Sequence, residues 1–452
     1  MNQLYMDFLE EMRGRNVAVL GMGVSNTPLI WLLLKAGAHV TICDRNEHAD
    51  GSEFAAQGAV LQLGEAYLAG LECEFIFRTP GMRPDLPEIR QAVAEGAVLT
   101  SEMEAFFRVC PCPIIGVTGS DGKTTTTTII YELLRAQGYK CYVGGNIGTP
   151  LLDRASEMTP EDKVVVELSS FQLMTMRVSP QIAVVTNLAP NHLDLHTSME
   201  EYIDAKRNIY CHQAPDGRVV LNWDNKITRT LGTEVEHPVF FSRKDPQPAG
   251  VDLQDGVICR AGHPVLPISA ITIPGMHNVE NYMAAIAAVG DWVQDETVRD
   301  VAKTFGGVPH RMELVRELAG VRYYNDSIAS SPSRTMAGLA AFPHRVMLIA
   351  GGKDKGVPFD VLGPAVVEHC TALVLNGPTM EKIREAVIRA PGYDAESLPV
   401  YCCASFEEAV KTAHRIAKPG DIVTLSPACT SFDRFRNFAE RGDYFKQLIW
   451  EL

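Results

Sequence analysis

Three times along this chain an apolar run of strand length leads into a glycine-rich turn and then into helix-length amphipathic sequence. The first copy is Asn16-Val-Ala-Val-Leu20, then Gly21-Met-Gly-Val-Ser-Asn26, then a run to Lys35 that Gly37 closes. The second is Pro113-Ile-Ile-Gly-Val117, Thr118-Gly-Ser-Asp-Gly-Lys123 and a helix ending near Gly138. The third starts at Val321-Arg-Tyr-Tyr-Asn325 and continues through Val346–Ala350, Ala372–Asn376 and Asp421–Leu425, with helix-length stretches between. Strands that alternate with helices pair in parallel, because each return crosses over a face of the sheet. Ligands of such sheets bind beyond the strands' carboxyl ends, and here those ends carry Gly, Asn, Asp and Ser. The expected class is α/β with mainly parallel sheets. Three domains are expected, 1–109, 110–308 and 309–452, divided near the proline-rich Cys110-Pro-Cys-Pro113 and near Gly306-Gly-Val-Pro-His310.

Composition narrows the function classes. The 452 residues carry 41 Lys+Arg against 55 Asp+Glu, a net charge of −14, which disfavours a nucleic-acid or membrane-surface binder. With 46% hydrophobic and 21% charged residues the chain reads as soluble and globular. The start, MNQLYMDFLEEMRGRN, lacks the basic and apolar regions of a secretory signal, and apolar stretches such as Pro28–Leu34 are too short to span a bilayer. A cytoplasmic protein is expected. The 11 cysteines are scattered without a CxxC pair, so free thiols are expected rather than disulfides or a zinc site.

The strongest chemical signal is Thr118-Gly-Ser-Asp-Gly-Lys-Thr124. A glycine-rich turn between strand and helix converges backbone N–H groups on a polyphosphate, with Lys123 at the terminal phosphates and the Thr124 hydroxyl on Mg²⁺. Val117 stands where the standard GxxxxGK[ST] pattern begins, so the core is Gly119-x-x-Gly122-Lys123-Thr124. The threonines Thr124–Thr128 open the helix despite poor helix propensity, which argues against a purely structural turn. Glu167, ending the apolar run Val164-Val-Val-Glu167, is placed to supply a second Mg²⁺ ligand. Gly21-x-Gly23 with Asp44 at the next strand's end has the form of a dinucleotide loop, but Asn26 replaces its third glycine, so any nucleotide phosphate would serve. The alternation His192-x-Asp194-x-His196 suits a magnesium–phosphate setting better than zinc.

Together these motifs resemble the Mur ligase family over essentially the whole chain. The phosphate loop matches with Asp121 in the usual Asn position; Gly144-Gly-Asn146-Ile-Gly148 and Glu167-Leu-Ser-Ser-Phe-Gln172 match two further central motifs. His192 through Lys206 resembles the segment that carries a carbamylated lysine, His277-Asn278-x-x-Asn281 the adenine contact, and Pro309-His310-Arg311 the start of the last domain. Asn325-Asp326-Ser327 resembles a ribose contact, and Ser426-Pro-Ala-Cys-Thr-Ser431-Phe432-Asp the amino-acid site of the D-glutamate-adding members. Ile328 stands where those members have a lysine, and Ser330 where they have a threonine.

The resemblance implies a Rossmann-like N-terminal domain, a central P-loop ATPase domain and a Rossmann-like C-terminal domain. It implies ATP-dependent amide formation through an acyl phosphate, in cytoplasmic peptidoglycan precursor synthesis, with UDP-N-acetylmuramoyl-L-alanine and D-glutamate as substrates; a sibling ligase adding another amino acid, or a folylpolyglutamate synthase-like one, is the alternative. Catalysis then falls to Lys123, His192 and Lys206. ATP is expected at Gly119, Ser120, Asp121, Gly122, Lys123, Thr124, Thr125, Asn278, Asn281, Arg311 and Asp326. The uridine substrate is expected at Gly23, Ser25, Asp44, Arg45, Asn146 and His192, and D-glutamate at Ser330, Lys355, Ser431, Phe432 and Phe438. Two Mg²⁺ sites are expected among Thr124, Glu167, His192 and carbamylated Lys206. The chain is expected to act as a monomer, and domain closure to exclude water from the acyl phosphate.

Overall fold

A computed structural model describes residues 2–190, 195–354 and 358–452. The expected positions His192, Asp194 and Lys355 lie outside the described residues.

Among the described residues, three sheets follow the three sequence repeats. The first contains β1 (Asn16–Leu20), β2 (His39–Asp44), β3 (Val60–Leu63), β4 (Phe75–Arg78) and β5 (Val98–Thr100), in the order β3-β2-β1-β4-β5, all parallel. The order reverses at β1, so the Gly21–Asn26 turn emerges at the switch point, where the chain leaves a crevice beyond the strand ends. The second holds β6 (Ile114–Thr118), β7 (Cys141–Gly145), β8 (Lys163–Glu167), β9 (Ile182–Val185), β10 (Arg218–Asn222), β11 (Val239–Ser242), β12 (Val251–Gln254), β13 (Val257–Arg260) and β14 (His263–Pro267). Its order is β14-β13-β12-β11-β10-β9-β6-β8-β7, parallel from β7 to β12 and antiparallel only at the β12–β14 end. Short turns at Asp255-Gly256 and Ala261-Gly262, all four with positive φ, permit that hairpin end. The third holds β15 (Glu313–Leu318), β16 (Val321–Asn325), β17 (Val346–Ala350), β18 (Cys370–Leu375), β19 (Val400–Cys402) and β20 (Ile422–Leu425), in the order β15-β16-β20-β17-β18-β19. Only β15 runs antiparallel.

The chain divides into two compact units, Met1–Phe305 and Gly306–Leu452. Two sheets share the first unit because their apolar faces are continuous. One cluster runs from Phe8 and Met12 through Phe106 and Val109 to Leu151, Val166 and Leu221. Helices Gln3–Met12 and Glu102–Val109 bridge it, and Asn2 Nδ2 donates to both Val109 O (2.7 Å) and Ala155 O (2.9 Å). In the second unit, separate clusters cover the two faces of the third sheet. All 11 cysteines are free, and no described helix is long and apolar enough to cross a membrane.

Candidate active site

The phosphate loop joins β6 to helix Lys123–Ala136, at the carboxyl edge of the second sheet. Its glycines are obligatory. Gly119 (φ +148°) and Gly122 (φ +77°) have left-handed backbones, and a Cβ would overlap Thr186 Oγ1 at the first and Asn281 Oδ1 at the second. Thr186 Oγ1 donates to Asp121 O (2.6 Å), and Asn187 Oδ1 accepts from Asp121 N (3.0 Å), so the end of β9 holds the loop from below. Lys123 Nζ curls back to donate to Gly119 O (3.0 Å) and Ser120 O (2.9 Å), so its ammonium sits over the loop that would receive phosphate.

The expected ATP residues divide by role. Gly119, Gly122, Lys123, Thr124 and Thr125 form the loop and the first helical turn. Asp121 is exposed on the loop's rim, so its carboxylate faces solvent. Ser120 is buried; its hydroxyl donates to Ala189 O (2.9 Å) and pairs with the Tyr202 hydroxyl (2.9 Å). Asn281, on helix Met276–Val289, accepts from Thr126 Oγ1 (3.2 Å), and its Nδ2 donates to Asn278 Oδ1 (3.1 Å). Asn278 and Asn281 are thus buried props between this helix and the phosphate-loop helix.

Beside the loop, two buried groups face each other's chemistry. Glu167 ends β8 with 2% exposure; its Oε1 accepts from Asn146 Nδ2 (2.7 Å), while Oε2 is buried with no hydrogen-bond partner among the described residues. A buried carboxylate oxygen left bare costs several kcal/mol unless a cation covers it. Lys206, on helix Met199–Arg207, is also 2% exposed. Its Nζ donates to Thr118 Oγ1 (3.0 Å), which donates onward to Leu168 O (2.7 Å), and it lies 4.9 Å from the Tyr202 ring centroid. Burial first, then the nearby Lys123 charge, push its pKa well below the ordinary lysine value, against the opposing pull of Glu167. The shift favours the neutral amine, which is the form able to add CO₂.

On the first sheet, Gly23, Ser25, Asp44 and Arg45 gather at the carboxyl ends of β1 and β2. Asp44 Oδ2 accepts from Met22 N (2.9 Å) and Oδ1 from Asn46 N (2.9 Å), so its carboxylate shapes the turn. Asn26 Nδ2 donates to Leu20 O (3.1 Å) and Gly21 O (3.0 Å), tying the turn to its strand where a third glycine would merely pack. Arg45 is exposed. Asn146 lies apart from these, beside Glu167, which its backbone N–H also meets through Glu167 O (2.7 Å).

The second unit gathers Asp326, Ser330, Ser431, Phe432 and Phe438 around the carboxyl ends of β16 and β20. Asp326 Oδ2 accepts from Ser426 Oγ (2.8 Å), and burial pushes its pKa up to about 6. Ser431 is buried, whereas Phe432 (61%) and Phe438 (38%) are exposed. Ser330 Oγ donates to Ile328 O (3.3 Å), and Arg311 is exposed. Arg441 was not singled out by sequence. It is buried, and donates to Ser327 Oγ (2.9 Å), Ser327 O (2.8 Å) and Cys429 O (3.1 Å). It follows Phe438 by one helical turn, and that spacing was the available signal. Tyr202, one turn before Lys206, was missed in the same way.

The Mur ligase middle-domain model matches residues 117–289, and the model of the Mur ligase glutamate ligase domain matches 310–429. The UDP-N-acetylmuramoylalanine--D-glutamate ligase of Acetivibrio thermocellus is 52% identical over 462 aligned positions, covering 99% of each chain. The chain belongs to the Mur ligase family. Two solved Thermotoga maritima Mur ligases share the fold. UDP-N-acetylmuramate-alanine ligase MurC gives a TM-score of 0.57 at 18% identity, covering 97% of this chain and 99% of that one. MurF ligase in complex with ADP gives 0.54 at 16% identity, covering 98% and 97%. The three-sheet architecture described above is thus the Mur ligase fold, and the phosphate loop, Glu167 and Lys206 fall within the matched middle domain of this Mur ligase.

Proposed function

We propose that this Mur ligase joins D-glutamate to UDP-N-acetylmuramoyl-L-alanine with cleavage of ATP to ADP and phosphate. What carries the reading is one juxtaposition, the bare Glu167 oxygen and the buried Lys206 amine beside a phosphate loop, in a chain that matches a relative of that name over 99% of each chain.

A carboxylate is a poor electrophile, and its condensation with an amine in water is uphill. Transfer of the γ-phosphoryl group to the substrate carboxylate gives an acyl phosphate; the amine attacks its carbonyl and phosphate leaves. The loop N–H groups and Lys123 oppose the negative charge on the phosphates as they move. Mg²⁺ fits the site: Glu167 Oε2 lacks a partner, Thr124 opens the helix, and a carbamate on Lys206 would supply a second anionic oxygen ligand. A bound Mg²⁺ would neutralise phosphate charge and polarise the transferring group. In this reading Lys206 carries a carbamate, formed when its unprotonated Nζ adds CO₂ with loss of one proton, and Thr118 and the Tyr202 ring lie beside it. The segments 1–109, 110–308 and 309–452 are assigned to the uridine substrate, ATP and the amino acid, with Ser431, Phe432 and Phe438 at the amino acid.

The deciding assay is phosphate release from ATP with UDP-N-acetylmuramoyl-L-alanine and a panel of amino acids. D-glutamate alone should stimulate it and yield the UDP product carrying one added glutamate by mass. Stimulation by another amino acid with none from D-glutamate would sink the reading.

A further inference from the structure

The loop after β4, Thr79-Pro80-Gly81-Met82, is bracketed by two arginines that both leave the first sheet for the second. Arg78 is 1% exposed and makes no ion pair with a carboxylate among the described residues. Its guanidinium donates to the carbonyls of Thr79 (3.2 Å), Pro80 (3.0 Å) and Met82 on one side. On the other it donates to Phe171 O (2.8 Å) and Thr175 Oγ1 (3.2 Å), just beyond the Glu167-Leu-Ser-Ser segment. Arg83 is held locally by Asp85, Nε to Oδ1 (2.8 Å) and Nη2 to Oδ2 (2.9 Å), and from there reaches the helix that bears Lys206: Nη2 meets Glu201 Oε1 (2.8 Å), Nη1 meets Glu201 Oε2 (3.3 Å), and Nη1 also donates to Leu195 O (2.8 Å).

Glu201 is half-buried and meets more than Arg83. Its Oε2 accepts from Thr197 N (2.7 Å) and lies 3.4 Å from Nδ1 of the buried His196. His196 Nε2 shares a hydrogen bond with Ser170 Oγ (2.9 Å), and its ring stacks on Phe171 (4.9 Å between centroids) and meets Tyr202 edge-on (5.3 Å). Tyr202 reaches Ser120 in the phosphate loop (2.9 Å). A continuous set of contacts therefore runs from the first-sheet loop, through Glu201 and His196, to both Ser170 and the phosphate loop.

We propose that Arg83, with Arg78, is a positioning residue that clamps the Thr79–Met82 loop to Glu201 and so registers the uridine-substrate sheet against the phosphate loop. The inference rests on the ligase reading above, in which an acceptor held on the first sheet must meet a phosphate held on the second. The two reactants then lie on separate sheets, and a misplacement of 1 Å between them costs about a hundredfold in rate. A bidentate fork fixes both distance and plane, which a single surface contact would not.

The test is steady-state kinetics on the full-length enzyme with the amino acid that wild type accepts. Arg83→Met should lower kcat about a hundredfold while KM for ATP stays within about twofold. Glu201→Gln should do the same, and the double variant should be no worse than either single one, since both remove one fork. Arg78→Lys keeps the buried charge but loses the fork, and should lower kcat with ATP affinity intact. Wild-type kcat in Arg83→Met, or effects that multiply in the double variant, would overturn the clamp. Loss of folded protein with unchanged kcat per folded molecule would overturn it equally. Failure of the D-glutamate reading would show in wild type alone, as no product from D-glutamate, and leaves this comparison intact with whichever amino acid is used.

Discussion

At the scale of single residues, the site turns on one lysine whose surroundings disfavour its charge. Lys206 is buried against Thr118 and the Tyr202 ring, and Lys123 lies near enough to disfavour a second ammonium. Lys206→Ala should abolish turnover, and acetate or formate should restore part of it by supplying the missing carboxylate; absence of rescue in a dose series would refute the carbamate. Lys123→Ala should stop acyl-phosphate formation while sparing uridine-substrate binding, as read by calorimetry. Gly119→Ala is expected to be as damaging as either, because its Cβ would occupy the place of Thr186 Oγ1 in a left-handed backbone. Its ATP affinity should fall at least as far as its thermal stability, in a paired nucleotide-binding and melting measurement.

At the scale of elements, the apolar runs and glycine turns were legible because they are local. Strands β1, β6, β8, β16, β17, β18 and β20 coincide closely with the apolar runs read from the sequence. The β12–β14 hairpin end was not legible; its strands are short, and parallel alternation gave no reason to expect a reversal. The candidate site was legible in its loop and in Glu167, but the supports were not. Asp44, expected at the uridine substrate, also takes Met22 N at Oδ2. Asn281, expected at ATP, also props Thr126 from a helix far away in sequence. Such side-chain bonds join distant segments, and no spacing rule reports them. Asn281→Ala should therefore cost about 1–3 kcal/mol of stability in the first unit by leaving Thr126 and Asn278 unpaired. Its KM for ATP should rise as the loop loses its backing; an unchanged KM would restrict Asn281 to packing.

At the scale of the whole molecule, stability carries a pH signature from Glu102. Its carboxyl is buried beneath the Leu152 N–H (3.2 Å), and burial pushes its pKa up to about 7. The unfolded carboxyl ionises near 4.3, so the folded protein holds the extra proton between about pH 4.3 and 7. Stability of the first unit is full below that window, falls as pH rises through it, and levels off above it. The loss amounts to roughly 4 kcal/mol at about 1.36 kcal/mol per pKa unit. Glu102→Gln keeps an acceptor for Leu152 N and should remove the slope, leaving the variant more stable than wild type at pH 8; denaturant melts at pH 5 and 8 would show an unchanged slope if the assignment were wrong.

The cluster that runs from Phe8 to Leu221 also has a consequence for synthesis. The first sheet leaves the ribosome well before the segment around Leu221 that completes its apolar partner. At about 5–20 residues per second the delay is on the order of ten seconds. During that interval the outer sides of helices Gln3–Met12 and Glu102–Val109, which join this cluster to the second sheet, lack their apolar partners, which makes the nascent segment a natural client for ribosome-associated chaperones and a poor candidate for expression as an excised fragment.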